Sequence, residues 1–269
     1  MTADTAAGED WALILGASSG FGAATSLALA RNGFNVFGVH LDKRATLPNA
    51  LRIVDEIKSL GRKAVFFNTN AADDQKRANV LDKVEEICKS EQRSYVRVFL
   101  HSLAFGTLIP YISKNGGKAA TRAQMEMTLD VMANSLVYWV QDLVARGLLA
   151  RGSRIFAMTS EGSTRAIPEY GAVSAAKAAL ESHVRQLAVE LAPMGVACNA
   201  IRAGVTVTPA LVKMSSNELL VSEGKRRNPS GRLTTPEDVG RAIAALCAPD
   251  AYWITGNVIG VDGGEGAAI

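Results

Sequence analysis

The chain has 269 residues, 48% of them hydrophobic and 20% charged, enough apolar length for one large core. Its formal net charge of +3 is spread along the chain, which argues against a nucleic-acid face and fits a solvated surface. Three cysteines (Cys88, Cys198, Cys247) and three histidines (His40, His101, His183) lie far apart with no metal-ligand spacing, so no metal site is expected, and reduced thiols suit the cytoplasm.

Residues 1–10 are small, polar and acidic, lack the apolar stretch of a signal peptide, and are expected to form a loose tail ahead of one domain over 11–269. No apolar run approaches the ~18 residues of a membrane span. Trp11–Leu15 reads as a buried strand, Ala23–Arg31 as a helix, and Phe34–Leu41 as a second strand. A helix over Pro48–Leu60, a strand over Lys63–Asn68, a helix over Asp73–Lys89 and a strand over Val96–Leu100 follow. After a loop rich in Gly and Pro, helices are predicted at Thr121–Ala133 and Asn134–Leu149, then a strand at Ser153–Met158 and a long helix at Tyr170–Leu191. Gly195–Ile201, Pro236–Cys247 and Asn257–Val261 complete the series as strand, helix and strand. This alternation predicts an α/β fold: a doubly wound, parallel, seven-stranded Rossmann-type sheet in a three-layer sandwich. Functional residues are then expected just after the strand ends.

Gly16-Ala17-Ser18-Ser19-Gly20-Phe21-Gly22 follows the first strand and opens the first helix. Glycines there allow a tight turn and close backbone approach to a pyrophosphate, and free helix-start N–H groups favour its charge. Ser18 and Ser19 add hydroxyl donors, so the loop reads as a dinucleotide site.

The three-residue spacing between Gly16 and Gly20 resembles the short-chain dehydrogenase/reductase family, and the resemblance runs from about Trp11 to Gly264. It implies that Asn70 and Ala71 lie near the adenine and that Asn134 helps hold an active-site lysine through water. It also implies that Gly204, Val205 and Thr208 lie beside the nicotinamide, although Ala203 replaces the family's usual proline. Common members carry Tyr-x-x-x-Lys; counted back from Lys177, that position is Val173, and the tyrosine is Tyr170, three residues earlier. The resulting Tyr-x6-Lys pattern resembles the divergent enoyl-acyl-carrier-protein reductases. Arg165 to Tyr170 and the segment His101-Ser102-Leu103-Ala104-Phe105 are similar to theirs as well.

Tyr170 and Lys177 share a helix face, and moving back three residues displaces the hydroxyl by ~4.5 Å along the axis. An enoyl thioester takes hydride at its β-carbon while charge builds on a distant carbonyl oxygen, so a set-back acid suits it. The resemblance thus implies Tyr170 and Lys177 as catalytic residues, Lys177 also binding the nicotinamide ribose, with Ser160 at the family's serine position. Cofactor contacts are expected from the glycine loop, from His40, Lys43 and Arg44 after the second strand, and from His101, Ser102 and Leu103. Those basic groups point to NADPH, opposed by Asp42 if it turns inward. The expected substrate is a small thioester, on acyl-carrier protein or coenzyme A; a carbonyl reductase or alcohol dehydrogenase is the alternative, and a non-catalytic nucleotide sensor a remote one. Residues 209–229 are expected to form a substrate lid, with Lys213, Lys225, Arg226 and Arg227 available to an acidic carrier. Val137, Val140, Val144, Val184 and Leu187 are expected to supply the surface of a homotetramer.

Overall fold

A computed structural model describes residues 10–268 apart from 92–93, 114–115, 213 and 215–216. The tail expected over 1–10 lies outside these residues except for Asp10, as does Lys213.

β1 (Trp11–Leu15) forms because five consecutive apolar residues are covered on both sides. Leu13 and Leu15 enter one core layer, Ala12 and Ile14 the other. β2 (Asn35–His40), β3 (Ala64–Asn68), β4 (Val96–His101), β5 (Arg154–Thr159), β6 (Ala197–Ala203) and β7 (Val258–Val261) complete a parallel sheet in the order β3-β2-β1-β4-β5-β6-β7. The order reverses between β1 and β4, which opens a crevice at their carboxyl ends. The loops after β1 and β4 therefore face each other, and Ser102 N–H donates to the Leu15 carbonyl at 3.0 Å.

The helices are α1 (Gly20–Arg31), α2 (Leu47–Ser59), α3 (Asp74–Ser90), α4 (Arg122–Leu129), α5 (Ser135–Ala145), α6 (Gly171–Leu191), α7 (Pro209–Val212), α8 (Asn217–Arg227) and α9 (Pro236–Leu246). α1 starts three residues before its predicted start, inside the glycine loop. The glycines are poor helix formers, but the Ser19 carbonyl receives Ala23 N–H and begins the first turn. The two helices expected to meet near Asn134 are joined by a π turn at Asp130–Asn134, where the Ser135 hydroxyl bonds the Val131 carbonyl. β6 extends past its predicted end because Arg202 and Ala203 pair with Gly260 and Val261 of β7. α1 and α9 cross at Gly240, where a Cβ would stand 2.7 Å from the Ala24 carbonyl oxygen.

The expected subunit surface is partly the chain's own core. Val140, Val184 and Leu187 are buried against the sheet, leaving Val137 and Val144 half-buried. Trp139 is fully buried on the same side and donates its indole N–H to the Ala71 carbonyl at 2.8 Å. Truncating an aromatic residue in such a position costs about 3–5 kcal/mol. Among the described residues no helix is long and apolar enough to cross a membrane. Nor does any cluster of three or more His, Cys, Asp or Glu stand ready for a metal.

Candidate active site

The glycine loop is built by contact as much as by conformation. A Cβ on Gly22 would stand 2.1 Å from the Gly16 carbonyl oxygen, and one on Gly16, whose φ is +85°, would meet the Ser102 carbonyl oxygen at 2.5 Å. Gly16 and Ala17 N–H both bond the Val39 carbonyl, at 2.8 and 3.1 Å, which draws the loop over β2. Ser19 stands at the helix start in extended conformation and makes no capping bond, so the first-turn N–H groups are available to phosphate oxygens. These features fit a dinucleotide pyrophosphate.

At the end of β2 the structure turns Asp42 inward. Its carboxylate Oδ2 lies 2.8 Å from His40 Nδ1, and its backbone is clamped by Asn68 through bonds of 2.9 and 3.0 Å. Burial works to raise the Asp42 carboxyl, but hydrogen bonds from Thr46, Ser18 and His40 outweigh it and hold the carboxyl below its usual range. Asp42 thus joins β2 to the phosphate loop, while Lys43 and Arg44 are exposed. Asn70 receives Ala72 N–H at 3.1 Å and shapes the turn after β3, where Ala71 is buried.

His101 ends β4 fully buried, its Nε2 2.8 Å from the Ser135 hydroxyl. Burial, reinforced by the charge of Lys177, pushes it down to about 3, so it is neutral at working pH. It lies beneath the site, whereas Ser102 and Leu103 line the cavity.

Tyr170, at the cap of α6, lies over Gly162, where a Cβ would meet its ring at 2.7 Å. Burial raises the phenol above its ordinary value, and a hydrogen bond with Ser160 offsets part of that rise. Ser160 also caps the short turn after β5, accepting Gly162 N–H at 3.1 Å. Lys177, two turns along α6, is buried and donates to the Met158 carbonyl at 2.7 Å. Burial lowers it to about 8, against the opposing pull of Glu181. Val173, at the common tyrosine position, is buried in the core and touches the wall of the same cavity.

Tyr170, Ser160, Lys177, Phe21, Ser102, Leu103, Gly204, Val205 and Thr208 line one cavity of about 300 Å³. Asn134 does not line this cavity; it ends the π turn, and its carboxamide oxygen faces His183 Nε2 at 3.2 Å. The far wall carries charges that sequence reading did not assign to the site. Arg227, the last residue of α8, was expected to be available to an acidic carrier but turns inward instead, donating to both Glu161 oxygens at 2.8 Å and lying 3.4 Å from Glu265. Glu265 receives Val205 N–H at 2.9 Å and is 2% exposed. Their signal was positional: Glu161 follows Ser160, and Glu265 follows the Asp262-Gly-Gly turn. From the segment expected to form a lid, Ala210 and Leu211 of α7, Met214, and Leu220 and Arg227 of α8 line the cavity, and a Cβ on Gly224 would meet Val205 at 2.7 Å.

A family profile described as enoyl-(acyl carrier protein) reductase matches residues 16–265. The chain belongs to this enoyl reductase branch of the short-chain dehydrogenase/reductase family. As a short-chain dehydrogenase/reductase it is an oxidoreductase served by a nicotinamide cofactor. It is similar to an enoyl-[acyl-carrier-protein] reductase [NADH] of Buchnera aphidicola, 28% identical over 94% of this chain and 93% of the relative. A cyclohexanol dehydrogenase of an Acinetobacter species is 30% identical over 94% and 93%. The crystal structure of an enoyl-[acyl-carrier-protein] reductase (NADH) from Aquifex aeolicus superposes with a TM-score of 0.81 at 27% identity, covering 96% of each chain.

Proposed function

We propose that this enzyme reduces the carbon–carbon double bond of an enoyl thioester, with NADH as cofactor. The observation that carries the reading is Tyr170 itself: a half-buried, protonated phenol at the start of α6, while the position one turn nearer Lys177 is filled by the buried Val173. The bound nicotinamide supplies hydride to the β-carbon of the substrate. Tyr170 gives its phenolic proton to the thioester oxygen as charge develops there, and the resulting enol takes a proton from solvent at the α-carbon while its hydroxyl proton returns to Tyr170. Lys177 holds the ribose hydroxyls through the donors it does not spend on Met158, and its charge favours the developing phenolate. Gly204, Val205 and Thr208 border the nicotinamide end, Asn70 and Ala71 the adenine end.

Asp42 supports NADH over the NADPH expected from Lys43 and Arg44. A carboxylate bonded to Ser18 and His40 accepts a ribose 2′-hydroxyl and repels a 2′-phosphate. The apolar residues Leu103, Leu108, Met158, Ile167 and Val205 suit an acyl chain. The substrate is carried on acyl-carrier protein or coenzyme A, and the exposed Lys225 and Arg226 at the end of α8 flank the lid where an acidic carrier would approach.

A second reading, ketone or alcohol turnover, is favoured by Ser160, which bonds the phenol in the way a carbonyl-polarising serine would, and by the similarity to cyclohexanol dehydrogenase. NADH oxidation with a crotonyl thioester beside an acetoacetyl thioester decides between them. Faster turnover of the 3-oxo substrate overturns the enoyl reading. The homotetramer remains our expectation, with Val189, Tyr252 and Trp253 as exposed apolar surface; a monomeric mass by light scattering contradicts it.

A further inference from the structure

Lys177 and Glu181 are one turn apart on α6, and both are anchored to consecutive residues of β5. Lys177 donates to the Met158 carbonyl at 2.7 Å, and Glu181 accepts the Thr159 hydroxyl at 2.6 Å. Both side chains are buried, at 4% and 9% exposure. Spacing of i, i+4 would let them meet in a direct ion pair. No ion pair within 4.0 Å joins them among the described residues, because Thr159 draws the carboxylate toward the strand.

We propose that Glu181, held by Thr159, is the positioning counter-charge of Lys177: it keeps the ammonium charged in a dry site without consuming the N–H donors that the cofactor ribose needs. The inference rests on the assignment of Lys177 to the ribose in the reading above. The physical conflict it resolves is general. Burial disfavours an ammonium, and a carboxylate in direct contact would restore the charge but occupy the donors. A carboxylate one layer back supplies the field alone, since Coulomb attraction outlasts hydrogen-bond distance in a low-dielectric interior. Burial has already brought Lys177 to about 8 with Glu181 in place. Tyr170 on α6 is protonated, His101 on β4 is neutral, Ser135 and Asn134 of the π turn region are uncharged, and the other carboxylates of the cavity stand across it with their own cations, Glu161 and Glu265 with Arg227 and Asp262 with Arg202. Arg202 of β6, in register with Thr159, is itself positive. The charge of Lys177 therefore depends on Glu181.

The test uses Glu181→Gln, which keeps volume and an acceptor for Thr159, and Thr159→Val, which releases the carboxylate. NADH affinity, read by fluorescence titration across neutral and alkaline pH, is measured alongside thioester turnover and melting temperature. In the wild type, affinity falls as pH rises through the Lys177 transition, and Lys177→Met removes that step. In Glu181→Gln the step moves to lower pH by about one unit. In Thr159→Val it stays within reach of the wild-type position, but NADH binding at neutral pH weakens several-fold, because Glu181 swings onto the ammonium. A Glu181→Gln profile that overlays the wild type overturns the proposal, as does unchanged NADH affinity in Thr159→Val. If one variant fails to fold, the other decides. Shifted binding profiles in an enzyme that turns over no enoyl thioester would refute the enoyl reading and leave this inference standing.

Discussion

Replacing Tyr170 by Phe removes one hydroxyl from the site and nothing else. The ring remains seated over Gly162, and the glycine loop and Lys177 still hold the cofactor. A positioned acid is worth roughly 10²–10⁴ in rate, or ~2.7–5.4 kcal/mol at ~1.36 kcal/mol per decade. Ser160 contributes through the hydroxyl it bonds, so Ser160→Ala should lose about one buried hydrogen bond, ~1 kcal/mol or roughly fivefold. The decisive quantity is the coupling. With Phe at position 170 there is no phenol for Ser160 to support, and the double variant should be no slower than Tyr170→Phe alone. Initial rates of NADH oxidation with a crotonyl thioester, at saturating cofactor, measure all three. Tyr170→Phe within tenfold of wild type, or a Ser160 effect that persists unchanged in the double variant, would refute the assignment of the enolate bond to Tyr170. An independent Ser160 effect confined to an acetoacetyl thioester would favour ketone chemistry.

Asp42→Ser removes the charged acceptor beside Ser18, and the ratio of kcat/KM for NADH over NADPH should fall about 10–100-fold, the worth of ~1.5–3 kcal/mol for a hydrogen bond to a charged group; an unchanged ratio contradicts the role given to Asp42. Gly22→Ala would place a Cβ 2.1 Å from the Gly16 carbonyl oxygen, so the loop must open. A loss of ~1–3 kcal/mol in stability by denaturant melts, together with weaker NADH binding, is expected; wild-type values for both show that the loop is looser than drawn. Arg227→Met breaks the bonds from α8 to Glu161 and leaves Glu265 with one backbone partner. Amide exchange over residues 217–227 should rise and the thioester KM should increase about tenfold with little change in kcat; unaltered exchange argues that the apolar packing of Gly224 alone holds the lid.

The order of the strands and of the helices that cover them, the parallel sheet and the tight glycine loop were legible in the sequence because each rests on local chemistry, whereas the helices α7 and α8 were not read from the segment after β6. Apolar runs of strand length specify buried strands, and Gly16, Gly20 and Gly22 specify a close turn whatever surrounds them. The spacing from Tyr170 to Lys177 was legible for the same reason, since a helix converts sequence distance into a shared face. What depended on contacts between distant segments was not. Asp42 and Lys43 are neighbours in sequence, and only the bonds to Ser18, His40 and Asn68 decide that Asp42 is the one that turns inward. Asn134 follows the family pattern in sequence, and only the structure shows that it ends a π turn with its carboxamide oxygen 3.2 Å from His183 Nε2 on α6. Val140, Val184 and Leu187 have the spacing of an interface, but helical periodicity marks an apolar face without naming what covers it; here much of the cover is the chain's own sheet. Arg227 and Glu161 stand 66 residues apart, and so no local pattern could join them. The sequence by itself determined which segments become strands and where the tight glycine loop stands at the head of α1; the tertiary structure decided which charges face the cavity, because burial and long-range hydrogen bonds, not residue type, select among them.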